Sequence, residues 1–226
     1  MTDANTLNKL QQKNSEYHIE QINQANFKVY GNVLSDYDLT EVKSFFAENV
    51  SYGENGNSYN PSNQELERIS VIQKIGNDIF AGMNFSAGEC TGQAQSFSAV
   101  EYHQGSEVNI MLTDVVMVLG KRSQIQNGLF NAATEAKIFF IPAGTIIEMY
   151  SDTLHYSPIK VESSGFKAVV MVLQGTNQPL PAGFKSTNPW IVKKNKFQAA
   201  HATRKDKLAA GSVEGVSGKL IKLEHI

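Results

Sequence analysis

Seven consecutive residues, Glu101-Tyr-His-Gln-Gly-Ser-Glu107, place two carboxylates and an imidazole within reach of one another. In an extended strand side chains alternate between faces, so Glu101 and His103 point the same way. Gly105 and Ser106 permit a bend, after which Glu107 swings back toward the same space. A second stretch, Pro142-Ala-Gly-Thr-Ile-Ile-Glu148-Met-Tyr150, is followed at once by Ser-Asp-Thr-Leu-His155. We expect the two stretches to be neighbouring strands lining one pocket around a metal, with His103, Glu107 and His155 as ligands. Carboxylates together with imidazoles suit Mn, Fe, Ni or Zn, and the oxygen-rich set leans toward Mn or Fe.

The remaining polar residues admit more than one role. An inward histidine taken alone is more often a hydrogen-bonded core residue; Glu107, four residues on, is what points His103 to a ligand role. Glu101 could bind the metal, accept a hydrogen bond from His103, or act as a base. Glu148 lies between the apolar Ile147 and Met149. A carboxylate buried there without partners would be costly or would neutralise, so it is either an outward surface alternation or a functional group. Tyr150 shares its face, as a phenol donor or simply a barrel aromatic. Glu101 and Glu148 are thus the candidate bases and Tyr150 the candidate donor. His201, in a lysine-rich tail, reads as a surface residue.

The elements that must position these groups change character along the chain. Residues 1–26 are rich in Gln and Asn and predict a short amphipathic helix. Phe27-Lys-Val-Tyr-Gly31 predicts a strand ending at a turn glycine. Asp38 can cap a helix over 39–47, with Glu41 completing a capping box and Leu39, Val42, Phe45 and Phe46 on one face. Residues 50–64 predict a loop, and Ser62 a cap for a helix over 63–75. From residue 78 short β-branched and aromatic runs take over: 79–85, 95–103, 107–113, 115–119, 137–141, 145–150, 155–161 and 168–173. Several short strands at such spacings, punctuated by Gly and Pro, predict an all-β barrel or sandwich. Val115–Leu119 and Ala168–Leu173 are apolar throughout and predict core strands. Residues 174–189 read as a long connection, 190–200 as a last strand or a pinned segment and 211–218 as a loop.

Composition narrows the function classes. The chain has 226 residues with a net charge of -2, and nothing in that balance points to a nucleic-acid partner. The clusters Lys193, Lys194, Lys196 and Arg204, Lys205, Lys207 read as solvated surface. Cys90, the only cysteine, forbids an internal disulfide and fits a reducing cytosol. No apolar run reaches the ~20 residues of a membrane span, and the first residues lack the plan of a signal peptide. A cytoplasmic protein without membrane partners is the expectation.

Glu101-x-His103-x3-Glu107 and Pro142-Ala-Gly144, at their interval, resemble the two motifs of cupins, small β-barrels that hold a metal near the mouth. The resemblance implies a mainly β, cupin-like barrel (a double-stranded β-helix or jelly roll) over 79–173. It also implies a helical and strand extension over 1–78 with short N-terminal helices, and a C-terminal extension over 174–226, all in one domain. More narrowly, Glu-Tyr-His-x-Gly-Ser-Glu, Pro-x-Gly-Thr-x-x-Glu-x-Tyr and Thr-Leu-His-x-x-Pro resemble a bacterial cupin family of unassigned function found among carbohydrate-utilisation proteins. Phe-Lys-Val-Tyr-Gly31, Tyr59-x-Pro61 and Lys194-Asn-Lys196…His201 extend that likeness over nearly the whole chain. Two departures stand out: Glu101 replaces a usual His, and Ile147 occupies the usual second-motif His position, with Glu148 one residue late. A local bulge could turn Glu148 inward, and His155 could supply the missing imidazole. The resemblance implies a small carbohydrate or sugar acid as partner, and pairing into homodimers. The function expected is a metal-dependent sugar isomerase or epimerase; the alternative is a sugar-binding or sensing barrel without turnover. An oxygen-using dioxygenase, which usually presents three His ligands, ranks last.

Overall fold

Residues 166–173 form the axis about which the other strands are laid. In the computed structural model, which describes residues 3–53 and 56–226, strand Phe166–Leu173 pairs along its whole length with Phe85–Gly92 and on its other edge with Glu107–Met111. Ile146–Met149 follows, then Gly31–Leu34, all antiparallel. The facing sheet runs from Lys137–Ile141 through Val115–Lys121 to Ile159–Lys160. Ala99–Tyr102 is tied to this second sheet by a single antiparallel bridge between Glu101 and His155. Numbering from Phe85–Gly92 in chain order, leaving out the short strand Phe130–Asn131 and taking 153–160 as one segment that pairs with Val115–Lys121, the eight strands take the orders 1-8-3-6 and 2-7-4-5. That is the double-sheet jelly roll, the cupin-like β-barrel expected from the sequence.

Both sheets are covered on both faces, which is why Val115–Leu119 and Ala168–Val172 carry no polar alternation and are buried throughout. Between the sheets lie Met111, Met117, Phe139, Ile147, Met149 and Val170. Behind the first sheet Val108, Ile110, Val169 and Met171 pack against Val42, Phe46, Ile72 and Ile75 of helices Thr40–Asn49 and Ser70–Phe80. Each fully buried aliphatic side chain contributes on the order of 1.5–3 kcal/mol. Helices Asp3–Lys13, Gln24–Phe27 and Gln64–Glu67 complete the N-terminal set, while Ala132–Glu135 and Lys205–Ala209 are short excursions later in the chain. Among the described residues no helix is long and apolar enough to cross a membrane.

The flanking segments join the sheets. Ile19–Gln21 runs parallel to Lys137–Ile141. Lys196–His201 pairs antiparallel with Ala99–Tyr102, with Gln198 directly opposite Glu101.

Several local expectations are corrected. Asp38 does receive the Thr40 amide, but the helix begins at Thr40 with Leu39 as its cap and no capping box. Asn63 rather than Ser62 caps the next helix, and the predicted 63–75 helix is two, Gln64–Glu67 and Ser70–Phe80. The 79–85 run is therefore largely helix end and turn. The 211–218 loop contains a strand, Val213–Ser217, parallel to Lys196–His201. Gly31 opens a strand rather than closing one. It is obligatory there because a Cβ would stand 1.7 Å from the Glu148 carbonyl oxygen. Gly31→Ala is expected to cost about 1–3 kcal/mol; thermal unfolding should register roughly 2–4 °C for each kcal/mol in a chain of this size, and an unchanged Tm would contradict the close approach.

Candidate metal centre

The bridge between Glu101 and His155 is the hinge of the site. The Glu101 amide donates to the His155 carbonyl at 2.7 Å and the His155 amide to the Glu101 carbonyl at 3.0 Å. Directly opposed residues of an antiparallel pair send their side chains to one face. His103, two residues beyond Glu101, shares that face. Gly105 then turns the chain at φ +87, a conformation that favours glycine. Strand Glu107–Met111 begins at once, and Glu107 lies opposite Met149 with its side chain between the sheets.

The result is a tight cluster. Glu107 Oε2 stands 3.2 Å from His103 Nε2 and 3.4 Å from His155 Nε2. Glu101 Oε1 is 4.0 Å from His103 Nε2. Glu101, His103 and His155 each offer a ligand atom within 4.8 Å of one another and can hold a metal ion; the shorter contacts belong to Glu107. Each imidazole uses its other nitrogen on the backbone: His103 Nδ1 donates to the Asn195 carbonyl at 2.8 Å, and His155 Nδ1 to the Thr153 carbonyl at 3.0 Å. A carbonyl only accepts, so each Nδ1 carries the proton, and in the neutral ring Nε2 presents a lone pair. Both Nε2 atoms are buried and make no hydrogen bond of acceptable geometry.

Two lone pairs thus face a buried carboxylate, an arrangement that repels itself unless a cation lies among the three. Two ligands at about 2.0–2.2 Å from one ion stand roughly 3–3.5 Å apart when adjacent, so the three heads fit a divalent ion.

Without an ion, the closeness of carboxylates and imidazoles favours a proton in its place. Burial would raise the Glu107 carboxyl, but the His155 and His103 imidazoles hold it well below the usual carboxylate range. Burial pushes His155 down, but the Glu107 and Glu101 carboxylates raise it above the ordinary imidazole value. Burial likewise opposes ionisation of Glu101, yet the Lys196 ammonium beside it, with the two imidazoles, keeps its carboxyl at about 2. Glu107 Oε1 is anchored by the Asn109 amide at 2.9 Å.

Glu148 and Tyr150 do not join the cluster. The ladder through Ile146–Met149 is continuous on both edges, so no bulge turns Glu148 inward. Ile147 faces the core between the sheets, and Glu148 takes the opposite face. There its carboxylate accepts from Asn32 Nδ2 at 2.8 Å and Ser106 Oγ at 2.7 Å. Tyr150 lies 6.0 Å beneath the Lys121 ammonium, away from the cavity. His201 bonds Thr203 and the Gly218 carbonyl, also outside the cluster.

A cavity of about 520 Å³ opens over the centre, lined by Glu101, Glu107 and His155 and by groups the motifs did not reveal. Lys196 and Gln198, on the strand opposite Glu101, bind its Oε2 at 2.6 Å each. The Lys193-to-Lys207 charges are therefore not all solvated surface: Lys196 is largely buried against Glu101, and Lys207 donates to Gln198 Oε1 at 2.8 Å. Tyr59, Asn109, Asn177 and Tyr156 supply further polar lining. Cys90 also borders the cavity, but burial pushes its thiol up to about 12, which leaves no reactive thiolate. Two sequence signals fall on this wall: Tyr59-x-Pro61 supplies Tyr59, and Lys194-Asn-Lys196 supplies Lys196 and has at its centre the residue that fixes His103.

That residue, Asn195, sits in the left-handed region at φ 51, which asparagine tolerates. Its side chain receives the Gln104 amide at 2.8 Å and donates to the Gln104 carbonyl at 3.0 Å. Asn195→Ala frees the turn that aims the His103 ring. Loss of such an outer partner typically lowers metal affinity 10–100-fold; metal titration of the variant is expected to show a loss in that range, with His103 still present.

Against known proteins, residues 19–221 match the family described as a domain of unknown function, DUF4867, and the chain belongs to it. No curated protein matches. Among solved structures, a variant of oxalate decarboxylase from B. subtilis aligns with a TM-score of 0.40 at 12% identity, over 80% of this chain and 41% of that one. An oxidoreductase of the 2OG-Fe(II) oxygenase family from Burkholderia pseudomallei aligns at 0.39 and 11%, over 69% and 91%. Pumpkin seed globulin aligns at 0.32 and 10%, over 54% and 27%. The chain spans about two fifths of the length of the decarboxylase.

Proposed function

For this member of the family, we propose a divalent metal centre held by His103, Glu107 and His155, at which a small sugar or sugar acid is isomerised or epimerised. The observation that carries the reading is the pair of buried, unpartnered imidazole Nε2 atoms converging on the Glu107 carboxylate. Mn or Fe suits the carboxylate content of the set, with Ni and Zn also within its chemistry. The substrate class rests on the motif resemblance and on a cavity walled by amides and phenols, groups suited to hydroxyls. When bound, such an ion supplies a Lewis acid that polarises a carbonyl and the hydroxyl beside it.

The chain's own residues do the rest. Asn109 fixes Glu107, and the Thr153 and Asn195 carbonyls fix the two rings. Glu101 lines the cavity, with Oε1 4.0 Å from His103 Nε2 and Oε2 held by Lys196 and Gln198. In the proposed reaction Glu101 takes the proton from the hydroxyl-bearing carbon and returns it to the neighbouring carbonyl carbon, while the hydroxyl proton passes to the former carbonyl oxygen, so an aldose–ketose exchange balances without oxidant or reductant. Tyr59 and Tyr156 hydrogen-bond the substrate hydroxyls. One observation favours the second reading, binding without turnover: the Lys196 ammonium and the Gln198 amide both hold Glu101 Oε2 at 2.6 Å, which weakens the carboxylate as a proton acceptor.

The two readings separate on Glu101→Gln, which keeps the shape and removes the base. Wild type is screened by NMR against aldoses, ketoses and uronates with Mn, Fe, Ni or Zn. The enzyme reading expects conversion, and a fall of about 10²–10⁴ in turnover for the variant at unchanged metal content. Loss of metal together with activity would make Glu101 a ligand instead. Protection against heat without conversion by wild type would replace the enzyme reading with the binder.

A further inference from the structure

One half-buried charged group in the cavity wall has no counter-charge among the described residues. Lys207, on the short helix Lys205–Ala209, is half-buried and lines the same cavity as the metal centre. Lys193 is exposed to solvent, and the buried charges there are taken up internally. Glu107 is held by the imidazoles and Asn109, and Glu101 by Lys196 and Gln198. Asp206, next to Lys207, is committed to Arg204 at 2.6 Å. Among the described residues no carboxylate lies within 4.0 Å of the Lys207 ammonium, whose contacts are the neutral Gln198 Oε1 at 2.8 Å and the Tyr156 ring at 5.7 Å. A partly desolvated ammonium without an anion is costly.

We infer that the substrate is an acid: the cavity takes a small polyhydroxy carboxylate, whose carboxylate is bound by Lys207 while its other oxygens face the metal centre. This deepens the sugar reading above and rests on it for the placement of the far end. Gln198 links the two ends. Its Nε2 serves the Glu101 carboxylate, an acceptor only, and its Oε1 the Lys207 ammonium, a donor only, so its orientation is fixed and the two subsites lie one amide apart. The cavity wall carries Lys193, Lys196 and Lys207 against two carboxylates even before a metal cation is added, which favours an anion over a neutral sugar. Burial, with Arg204 nearby, pushes the Lys207 ammonium toward its neutral form, a cost that a bound anion relieves.

The lining favours a carboxylate over a phosphate. No arginine lines the cavity. The amides of Ala210, Gly211 and Ser212 at its edge are already given to the carbonyls of Asp206, Leu208 and Lys207, so they form no phosphate cradle.

The test uses the full metal-loaded chain and calorimetric titration. Galacturonate, glucuronate and gluconate are compared with galactose, glucose and glucitol, with glucose 6-phosphate as a further arm. At least one acid is expected to bind about 10-fold or more tightly than its neutral partner. Lys207→Met should remove that preference, weakening the acid about 10–100-fold, the worth of a charge-assisted contact, and leaving the neutral compound unchanged. Lys207→Arg should preserve it, and thermal melts verify that both variants fold. The inference is overturned if no acid is preferred, if Lys207→Met weakens acid and neutral compound alike or affects neither, or if the phosphate binds more tightly than every acid. Repeating the titrations on chelator-treated protein separates the two proposals. A chain that never retains metal but keeps a Lys207-dependent acid preference overturns the metal reading alone; a metal-retaining chain indifferent to Lys207→Met overturns this inference alone.

Discussion

The site depends on one constraint: two imidazoles are each tied by Nδ1 to a backbone carbonyl and so turn their Nε2 lone pairs on a buried carboxylate. Left without a cation, buried acceptors facing one another cost on the order of 1–3 kcal/mol apiece. A fold keeps such a group only where something else offsets it. The chain's own cations do not reach it: Lys196 is spent on the far oxygen of Glu101, and Lys207 stands behind Gln198. A proton can satisfy one ring, as the raised His155 value reflects, but a divalent ion satisfies both rings and Glu107 together.

The jelly roll explains how so small a motif achieves this. Its two sheets bring the end of strand Ala99–Tyr102 against His155 through a single bridge, and the turn at Gly105 delivers Glu107 to the first position of the next strand. The C-terminal strand Lys196–His201 then adds to the edge of Ala99–Tyr102 and closes the wall. One hairpin turn, at Asn195, therefore serves both purposes: its carbonyl aims His103, and the strand leaving it presents Lys196 and Gln198 to Glu101. Residues nearly a hundred positions apart in sequence act as one shell.

What was legible in the sequence follows from what is local. Strand alternation put Glu101 and His103 on one face, and the unbroken apolar runs at 115–119 and 168–173 announced sheets covered on both sides. Glu148 shows the limit. The sequence left it either on an outward alternation or turned inward by a bulge, and the register with Glu107–Met111 and Gly31–Leu34 fixes Ile147 inside and Glu148 outside. Its partner Asn32 lies 116 residues away, beyond any local pattern. Lys196 and Lys207 were hidden for the same reason: a lysine cluster looks solvated until the pairing of Gln198 with Glu101 is known. The 79–85 run misled because a short apolar stretch reads equally as strand or buried helix end; Ile79 and Phe80 close the helix that backs the first sheet.

The central claim is that this cluster exists to hold a divalent cation, and metal content tests it most directly. Full-length protein is purified without chelator or a histidine tag and submitted to elemental analysis, alongside His103→Ala and His155→Ala variants verified as folded. The account expects about one divalent ion per wild-type chain and its loss from both variants. Wild-type protein that carries no ion and takes up neither Mn, Fe, Ni nor Zn on titration would contradict it.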